Sequence, residues 1–281
     1  PAEFFIDGTL GSAGHAVEIF KRILPGGKLL GIDVDENSLK IAQLKISTEL
    51  RIKNSELRNN LILVQGNYAN LPEILKKKNL PKADGLLLDL GISSEQLERS
   101  GRGFSFMRDE PLDMRYNQNQ SEPASVVVNY YSEKELADIF FKYGEERFSR
   151  QIARKIIEER KIKPIKTTFD LVEIIQKAIS FRRSRLHPAT KVFQALRIYV
   201  NNELGNLEKL LKNLGKIIKN KGRAAIISYH SLEDRLVKNY FREMARQGKA
   251  KILTKKPIRP TLEEIRQNPR ARSAKLRAIV I

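Results

Sequence analysis

Asp84-Gly-Leu-Leu-Leu-Asp-Leu-Gly91, running on through Ile92, Ser93, Ser94, Glu95 and Gln96, is the stretch on which the fold turns. An apolar run interrupted only by Asp89 has the length and composition of a strand buried on both faces of a parallel sheet. A lone carboxylate inside such a sheet would cost several kcal/mol, so Asp89 belongs at the strand's carboxyl end, where open α/β sheets bind ligands. The alternative is a strand-end acid that caps the following turn.

Working upstream, Phe4-Phe-Ile6 reads as a first strand and Asp7-Gly-Thr-Leu-Gly-Ser-Ala-Gly-His15 as a glycine turn. A helical pattern follows, from Ala16 through Ile19, Phe20 and Ile23. Glycines let backbone approach a ligand, and free N–H groups at a helix start receive a carboxylate or phosphate. The spacing is G-x-x-G-x-x-G, which also suits an ordinary tight turn. A second strand, Lys28-Leu-Leu-Gly-Ile-Asp33, ends in an acid 19 residues after Gly14, near the spacing at which a carboxylate accepts ribose hydroxyls. Asp35 suits the start of a helix from Glu36 to Ile46. The third strand, Leu61 to Gln65, is followed by Tyr68, placed to cover an adenine face or to pack on a helix. Four strands alternating with helices predict a doubly wound sheet.

Downstream the rhythm breaks. Ser100 to Asn119 has no helical period, yet carries Phe104, Phe106, Met107 and Met114, and reads as a long loop that packs over something. Ser132 and Glu135 form a capping box ahead of Leu136, Ile139, Phe140 and Tyr143; a second helix carries Phe148, Ile152 and Ile156, and a third begins near Thr167. Residues 104–188 therefore read as an all-helical insertion after strand four, between sheet-forming segments 1–103 and 189–281. Pro188 is placed to open one long helix from Ala189 to Ile218. Arg223 to Tyr229 is the fifth strand, His230 to Arg235 leads into an amphipathic helix, and Leu276 to Ile281 closes the sheet.

The formal charge of +19, from 52 Lys and Arg against 33 Asp and Glu, favours a polyanionic partner. Between Lys251 and Arg277 nine Lys or Arg face two Glu. Arg182, Arg183, Arg185, Lys191 and Arg197 make a second basic cluster that suits either phosphate contact or a solvated face. No apolar run is long enough to span a bilayer and no basic amphipathic anchor is evident, so a membrane partner is not expected. Zero Cys excludes disulfides and thiolate zinc sites and fits a reducing cytoplasm. The opening at Pro1, already close to a strand, predicts a further segment upstream.

Four long motifs, Gly103-Phe-Ser-Phe-Met-Arg-Asp-Glu-Pro-Leu-Asp-Met-Arg115, His187-Pro-Ala-Thr-Lys-Val-Phe-Gln-Ala-Leu-Arg197, Ser228-Tyr-His-Ser-Leu-Glu-Asp-Arg235 and Asn268-Pro-Arg-Ala-Arg-Ser273, resemble the MraW (RsmH) family in order and over nearly the whole chain. The resemblance implies a class I, Rossmann-like methyltransferase sheet with a helical insertion that engages RNA. It implies S-adenosylmethionine as cofactor and the N4 amine of a cytidine in bacterial small-subunit ribosomal RNA as acceptor, presented as free RNA or in the subunit. By matching motifs, the cofactor would meet Ala13, Gly14, His15, Asp33, Tyr68, Asp89 and Gln96. RNA would meet Arg182, Arg183, Arg185, His187, Lys191, Arg270 and Arg272. Ala13 stands where the family commonly has Gly, so a left-handed backbone there would be strained. Asp113 and His230 are the candidates for taking the amine proton.

Other readings remain open at this stage. A nicotinamide-dependent dehydrogenase would share Asp33 but not the basic balance. A non-catalytic RNA-binding assembly factor would explain the charge without a ribose-spaced acid, and a methyltransferase of another nucleic acid would explain both. Metal hydrolysis is disfavoured, because three His form no pair at ligand spacing. No metal is expected, and the oligomeric state is not legible.

Overall fold

The computed structural model describes residues 3–50, 59–119, 122–179 and 187–281. Two compact units result: Pro1–Gly91 with Leu204–Ile281, and Ile92–Glu203.

The first unit is built on a seven-stranded sheet. In chain order it contains β1 (Phe4–Asp7), α1 (Gly14–Ile23), β2 (Lys28–Asp33), α2 (Glu36–Leu50), β3 (Leu61–Gln65), α3 (Leu71–Lys77) and β4 (Ala83–Asp89). The strand order is β3-β2-β1-β4, and these four pair in parallel. Because β1 feeds outward to β2 and β3 and the chain then returns to β4, the direction of winding reverses between β1 and β4. That reversal opens a crevice at the strands' carboxyl ends, where Asp7 and Asp89 are the last residues of their strands. Alternate strand residues face opposite sides. Leu29, Leu61 and Leu63 pack with Val17, Phe20, Ala42 and Ile46 of α1 and α2, while Ile6, Leu30, Ile32, Leu86 and Leu88 pack with Leu71 and Leu75 of α3.

The second unit comprises α4 (Ser94–Arg99), a long loop, α5 (Ala124–Tyr130), α6 (Glu133–Gly144), α7 (Ser149–Arg160), α8 (Thr168–Ala178) and α9 (Ala189–Val200). Ser132 with Glu135 and Thr167 with Asp170 form the capping boxes that start α6 and α8. The contact pattern sets the unit wider than the expected 104–188. Ile92, Leu97 and Phe104 on one side, and Val192, Phe193, Leu196 and Val200 on the other, share its single apolar core.

The expected single helix from Ala189 to Ile218 is three: α9, α10 (Glu203–Lys212) and α11 (Leu214–Ile217). The cause is Asn202, whose φ of 48° is left-handed, and Asn201, whose side-chain amide donates to the Arg197 carbonyl at 2.9 Å. Asn tolerates that conformation, and the apolar spacing passes through the break unmarked. Beyond it, β5 (Ile218–Ser228) lies beside β4 in parallel, α12 (Ser231–Arg246) follows, and the edge is completed by β6 (Lys251–Ile252), α13 (Leu262–Gln267) and β7 (Lys275–Val280). β7 runs antiparallel to β5, and β6 antiparallel to β7.

Candidate functional site

The crevice is assembled by a loop tied to the strands on either side of β1. Gly8 donates to the Leu87 carbonyl at 3.0 Å, and a Cβ there would sit 2.4 Å from Leu88 Cδ2, so only glycine passes β4 this closely. Thr9 Oγ1 accepts from the backbone N–H of Asp89 at 2.6 Å. On the other side, Leu10 donates to the Ile32 carbonyl at 2.9 Å and Gly11 to Asp33 Oδ2 at 2.8 Å. The loop thus fixes the ends of β1, β2 and β4 against one another before α1 begins.

Ala13, the N-cap of α1, has φ 61° and ψ 24° and is fully buried. The strain expected of a methyl at this position is therefore present, at about 1–2 kcal/mol for an L-residue in the left-handed region. No side chain caps α1 and its first turn holds no acid, so the first N–H groups and the positive end of the helix are left to a ligand carboxylate. Gly14 has open space where its Cβ would be.

Three carboxylates line this rim. Asp33 accepts from Gly11 and, through Oδ1, from the backbone N–H of Asp35 at 2.9 Å; burial nonetheless raises its pKa above the usual range. Lone-pair capacity remains on the carboxylate for a further donor. Asp89 is held from two sides, with the Tyr229 hydroxyl donating to Oδ1 at 2.8 Å and Nε2 of His15 lying 3.4 Å from Oδ2. The hydrogen bond to Asp89 raises the pKa of His15, and burial followed by the Asp89 charge pushes the Tyr229 phenol upward. Asp7 is 1% exposed; Thr9 donates to its Oδ1 at 3.1 Å and, among the described residues, no donor reaches Oδ2. Burial lifts the Asp7 pKa to about 7. Tyr68 follows β3 half-exposed, its inner side packed against the core of its unit.

The second unit holds its charged residues differently. Asp113 accepts from Arg115 Nε and Nη2, both at 2.8 Å, from the Arg115 backbone at 3.0 Å and from Gln118 at 3.2 Å. Burial pulls its pKa upward, but the Arg115 and Gln118 hydrogen bonds outweigh it and hold the carboxyl below the usual range. Glu203 accepts from Arg197 Nε and Nη2 at 2.8 and 3.0 Å and from the Tyr116 hydroxyl at 2.9 Å. Gln96 is buried and completes a capping box with Ser93 at the start of α4. Phe106 stacks on His187 with ring centroids 4.7 Å apart, and His187 Nδ1 accepts from the Ala189 backbone at 3.2 Å.

The sequence-predicted residues divide accordingly. Ala13, Gly14, His15, Asp33 and Asp89 come together at the rim. His230 is the half-buried N-cap of α12, with Nδ1 accepting from the Glu233 backbone at 3.4 Å and Nε2 3.2 Å from Glu233 Oε1. Asp113 is thereby taken up by Arg115, and Nδ1 of His230 by the helix start, while Nε2 of His230 has no hydrogen-bond partner among the described residues. Lys191 donates to the Glu145 carbonyl at 2.8 Å and closes the end of α6. Arg270 and Arg272 are exposed on the short turn Pro269–Ser273. Part of the basic tail is structural: Arg277 pairs with Asp234 at 2.6 Å and Lys275 lies 3.6 Å from the same carboxylate. Arg182, Arg183 and Arg185 lie outside the described residues. Asp7 and Tyr229 were not singled out by the sequence reading. The signals that could have found them are their places, last in a strand before a glycine turn and just past the end of β5.

The model of the MraW methylase family matches residues 1–281. Ribosomal RNA small subunit methyltransferase H of Thermosipho africanus is 48% identical over 276 residues, covering 97% of this chain and 89% of that protein. The protein of the same name from Dictyoglomus thermophilum is 46% identical over 278 residues, covering 99% and 90%. Among solved structures, Aeropyrum pernix fibrillarin with natively bound S-adenosyl-L-methionine aligns with a TM-score of 0.42 at 10% identity, covering 99% of this chain and 66% of that one.

Proposed function

The chain belongs to the MraW methylase family, and from that premise we propose that it transfers a methyl group from S-adenosylmethionine to the N4 amine of a cytidine in bacterial small-subunit ribosomal RNA, in the cytoplasm. The observation that carries this reading is the near-full-length similarity to proteins named ribosomal RNA small subunit methyltransferase H. The net charge of +19 suits an RNA substrate, and no helix among the described residues is long and apolar enough to cross a membrane.

The rim fits the cofactor by the chemistry of its donors and acceptors. Asp33 has acceptor capacity left for ribose hydroxyls, and the uncapped start of α1, just after Ala13, offers the N–H groups of Gly14 and His15 to a carboxylate. Tyr68 offers an aromatic face, and Asp89 a carboxylate beside His15. The resemblance adds Gln96 to this set. When bound, the cofactor supplies an electrophilic methyl on a sulfonium. The residues of the chain supply position: most of the rate in an in-line displacement comes from holding the acceptor amine in the right place. Arg182, Arg183, Arg185, His187, Arg270 and Arg272 are assigned to the RNA backbone, whose contacts offset the few kcal/mol of unstacking the target base.

The test is to incubate the protein and labelled S-adenosylmethionine with small-subunit RNA, and separately with small subunits, from cells lacking this activity, and to map the product by mass spectrometry. A single N4-methylated cytidine is expected; no label in either substrate contradicts the assignment.

A further inference from the structure

Beyond β6 the chain builds a lobe that packing does not explain. The Ile258 N–H donates to the Leu276 carbonyl at 2.9 Å and its carbonyl accepts from the Leu276 N–H at 2.9 Å; Leu276 is the register partner of Ile227 in β5, and Ile227 that of Asp89 in β4. The four residues form one row across the sheet, so three strand spacings of about 4.8 Å set the Ile258 backbone about 14 Å from that of Asp89, at the same end of the strands. Four residues on, α13 (Leu262–Gln267) buries none of its six residues. A helix this short is marginal without packing. It is nonetheless held at both ends, by Thr261 Oγ1 accepting from the Glu264 backbone at 3.1 Å and by the buried Ala271 in the turn that follows. Burial and then Asp89 raise the pKa of the Tyr229 phenol most, and the charge of Glu264 adds to them, so α13 stands within electrostatic reach of the rim. On this lobe Leu262 is 77% exposed and Ile258 59%. Single exposed leucines are ordinary. Here Arg259, Arg266 and Arg272 surround it in sequence, all exposed and in no ion pair among the described residues.

Resting on the function proposed above, we propose that Leu262 is the wedge that enters the RNA stack at the place the target cytidine leaves, with Arg259, Arg266 and Arg272 on the flanking phosphates. A base drawn out of its stack leaves a gap between its neighbours, and the lost stacking must be offset. A branched apolar side chain standing clear of the protein fills that gap and keeps the neighbours apart, as apolar wedges do between the base steps of kinked nucleic acids. Cations beside the wedge hold the strand through its phosphates, without reading its sequence. The row from Ile258 to Asp89 gives the separation this needs: one strand lies over the wedge while its extruded base reaches the rim, and the lobe takes no part in holding the cofactor.

The test reads unstacking and turnover separately. A hairpin RNA containing the cytidine mapped by the methylation experiment carries 2-aminopurine directly 3′ of it, a base whose fluorescence rises when it loses a stacking neighbour. This RNA is titrated with the full chain and S-adenosylhomocysteine, and single-turnover methylation is measured on the same sequence, for wild type, Leu262→Ser and Leu262→Met. Wild type should raise the fluorescence severalfold. Leu262→Ser should lose most of that rise and slow methylation by about tenfold or more, whereas Leu262→Met should stay within about threefold in both. On a second RNA, in which abasic sites flank the cytidine and no stack has to be parted, Leu262→Ser should match wild type within about threefold. Calorimetry with S-adenosylmethionine and the melting temperature are the controls, and neither should change, because Leu262 is exposed. A full fluorescence rise and rate for Leu262→Ser overturns the wedge. An equal loss on both RNAs overturns it too, because Leu262 would then be a binding contact that parts no stack. An absence of methylation by wild type on either RNA would overturn the proposed function instead, which keeps the two failures distinct.

Discussion

The sheet rim and the second unit treat acidic side chains in opposite ways. In the second, Asp113 and Glu203 are each gripped by both arms of an arginine, at 2.8–3.0 Å. At the sheet rim Asp7, Asp33 and Asp89 meet backbone amides, a phenol and a histidine, and no Lys or Arg pairs with them among the described residues. The consequence is visible in their titration: Asp113 is held below its ordinary range, whereas Asp7 and Asp33 are raised. An arginine fork completes a fold. Carboxylates left without Lys or Arg partners, beside an uncapped helix start and a strained Ala13, are costs of the kind that folds carry at ligand sites.

The contrast is tested most strongly at Asp7. Its folded pKa of about 7 lies above the unfolded value of 3.8, so the folded state binds the extra proton. Stability is then greatest below about pH 4 as far as this group is concerned, and is lost as pH rises toward 7; about three units correspond to roughly 4 kcal/mol as an order of magnitude. Asp7→Asn cannot ionise, so its unfolding free energy relative to wild type should climb by a few kcal/mol between pH 4 and pH 8 in urea titrations. A flat difference would show that Asp7 is not buried with its charge.

The opposite response is expected in the second unit. Glu203→Ala removes the carboxylate that accepts from Arg197 and the Tyr116 hydroxyl, and should cost about 3 kcal/mol at pH 7 by the same denaturation measurement. At Asp113 the stabilising linkage lies on the acid side, because a depressed pKa adds stability above the unfolded pKa that disappears as pH falls through the folded one. Asp113→Asn should therefore cost about 1–2 kcal/mol at pH 7 and little at pH 3. Its single-turnover methylation rate, measured where it is folded, should stay within tenfold of wild type; a loss of a hundredfold or more with cofactor affinity intact would restore Asp113 as the proton acceptor. The smallest effect is Ala13→Gly, which relieves the left-handed strain but frees the unfolded chain, for a net gain of about 0.5–1 kcal/mol in thermal unfolding.

How much of this the sequence revealed depends on whether local chemistry or tertiary approach decided it. Asp33 was legible because strand, glycine turn and helix set its distance from Gly14 along the chain. The strain at Ala13 was legible as a condition, since only the φ value was missing. The break at Asn202 was not, because α9 and α10 keep one apolar period and only a single left-handed residue interrupts it. Asp7 and Tyr229 were hidden for another reason: an orphaned oxygen, or a phenol aimed at a carboxylate 140 residues away, exists only once β1, β4 and β5 lie side by side. Lys191 and His230 have side chains suited to ligands, yet both close helix ends, a use that composition cannot separate from phosphate contact or proton transfer.

The account stands on the rim formed by the ends of β1, β2 and β4 being the cofactor site, and a crystal structure of the full chain with S-adenosylhomocysteine tests it most directly. The account predicts the ribose hydroxyls on Asp33 and the amino-acid carboxylate at the N–H groups of Gly14 and His15. Density for the cofactor away from that rim, or with Asp33 turned from the ribose, would contradict it.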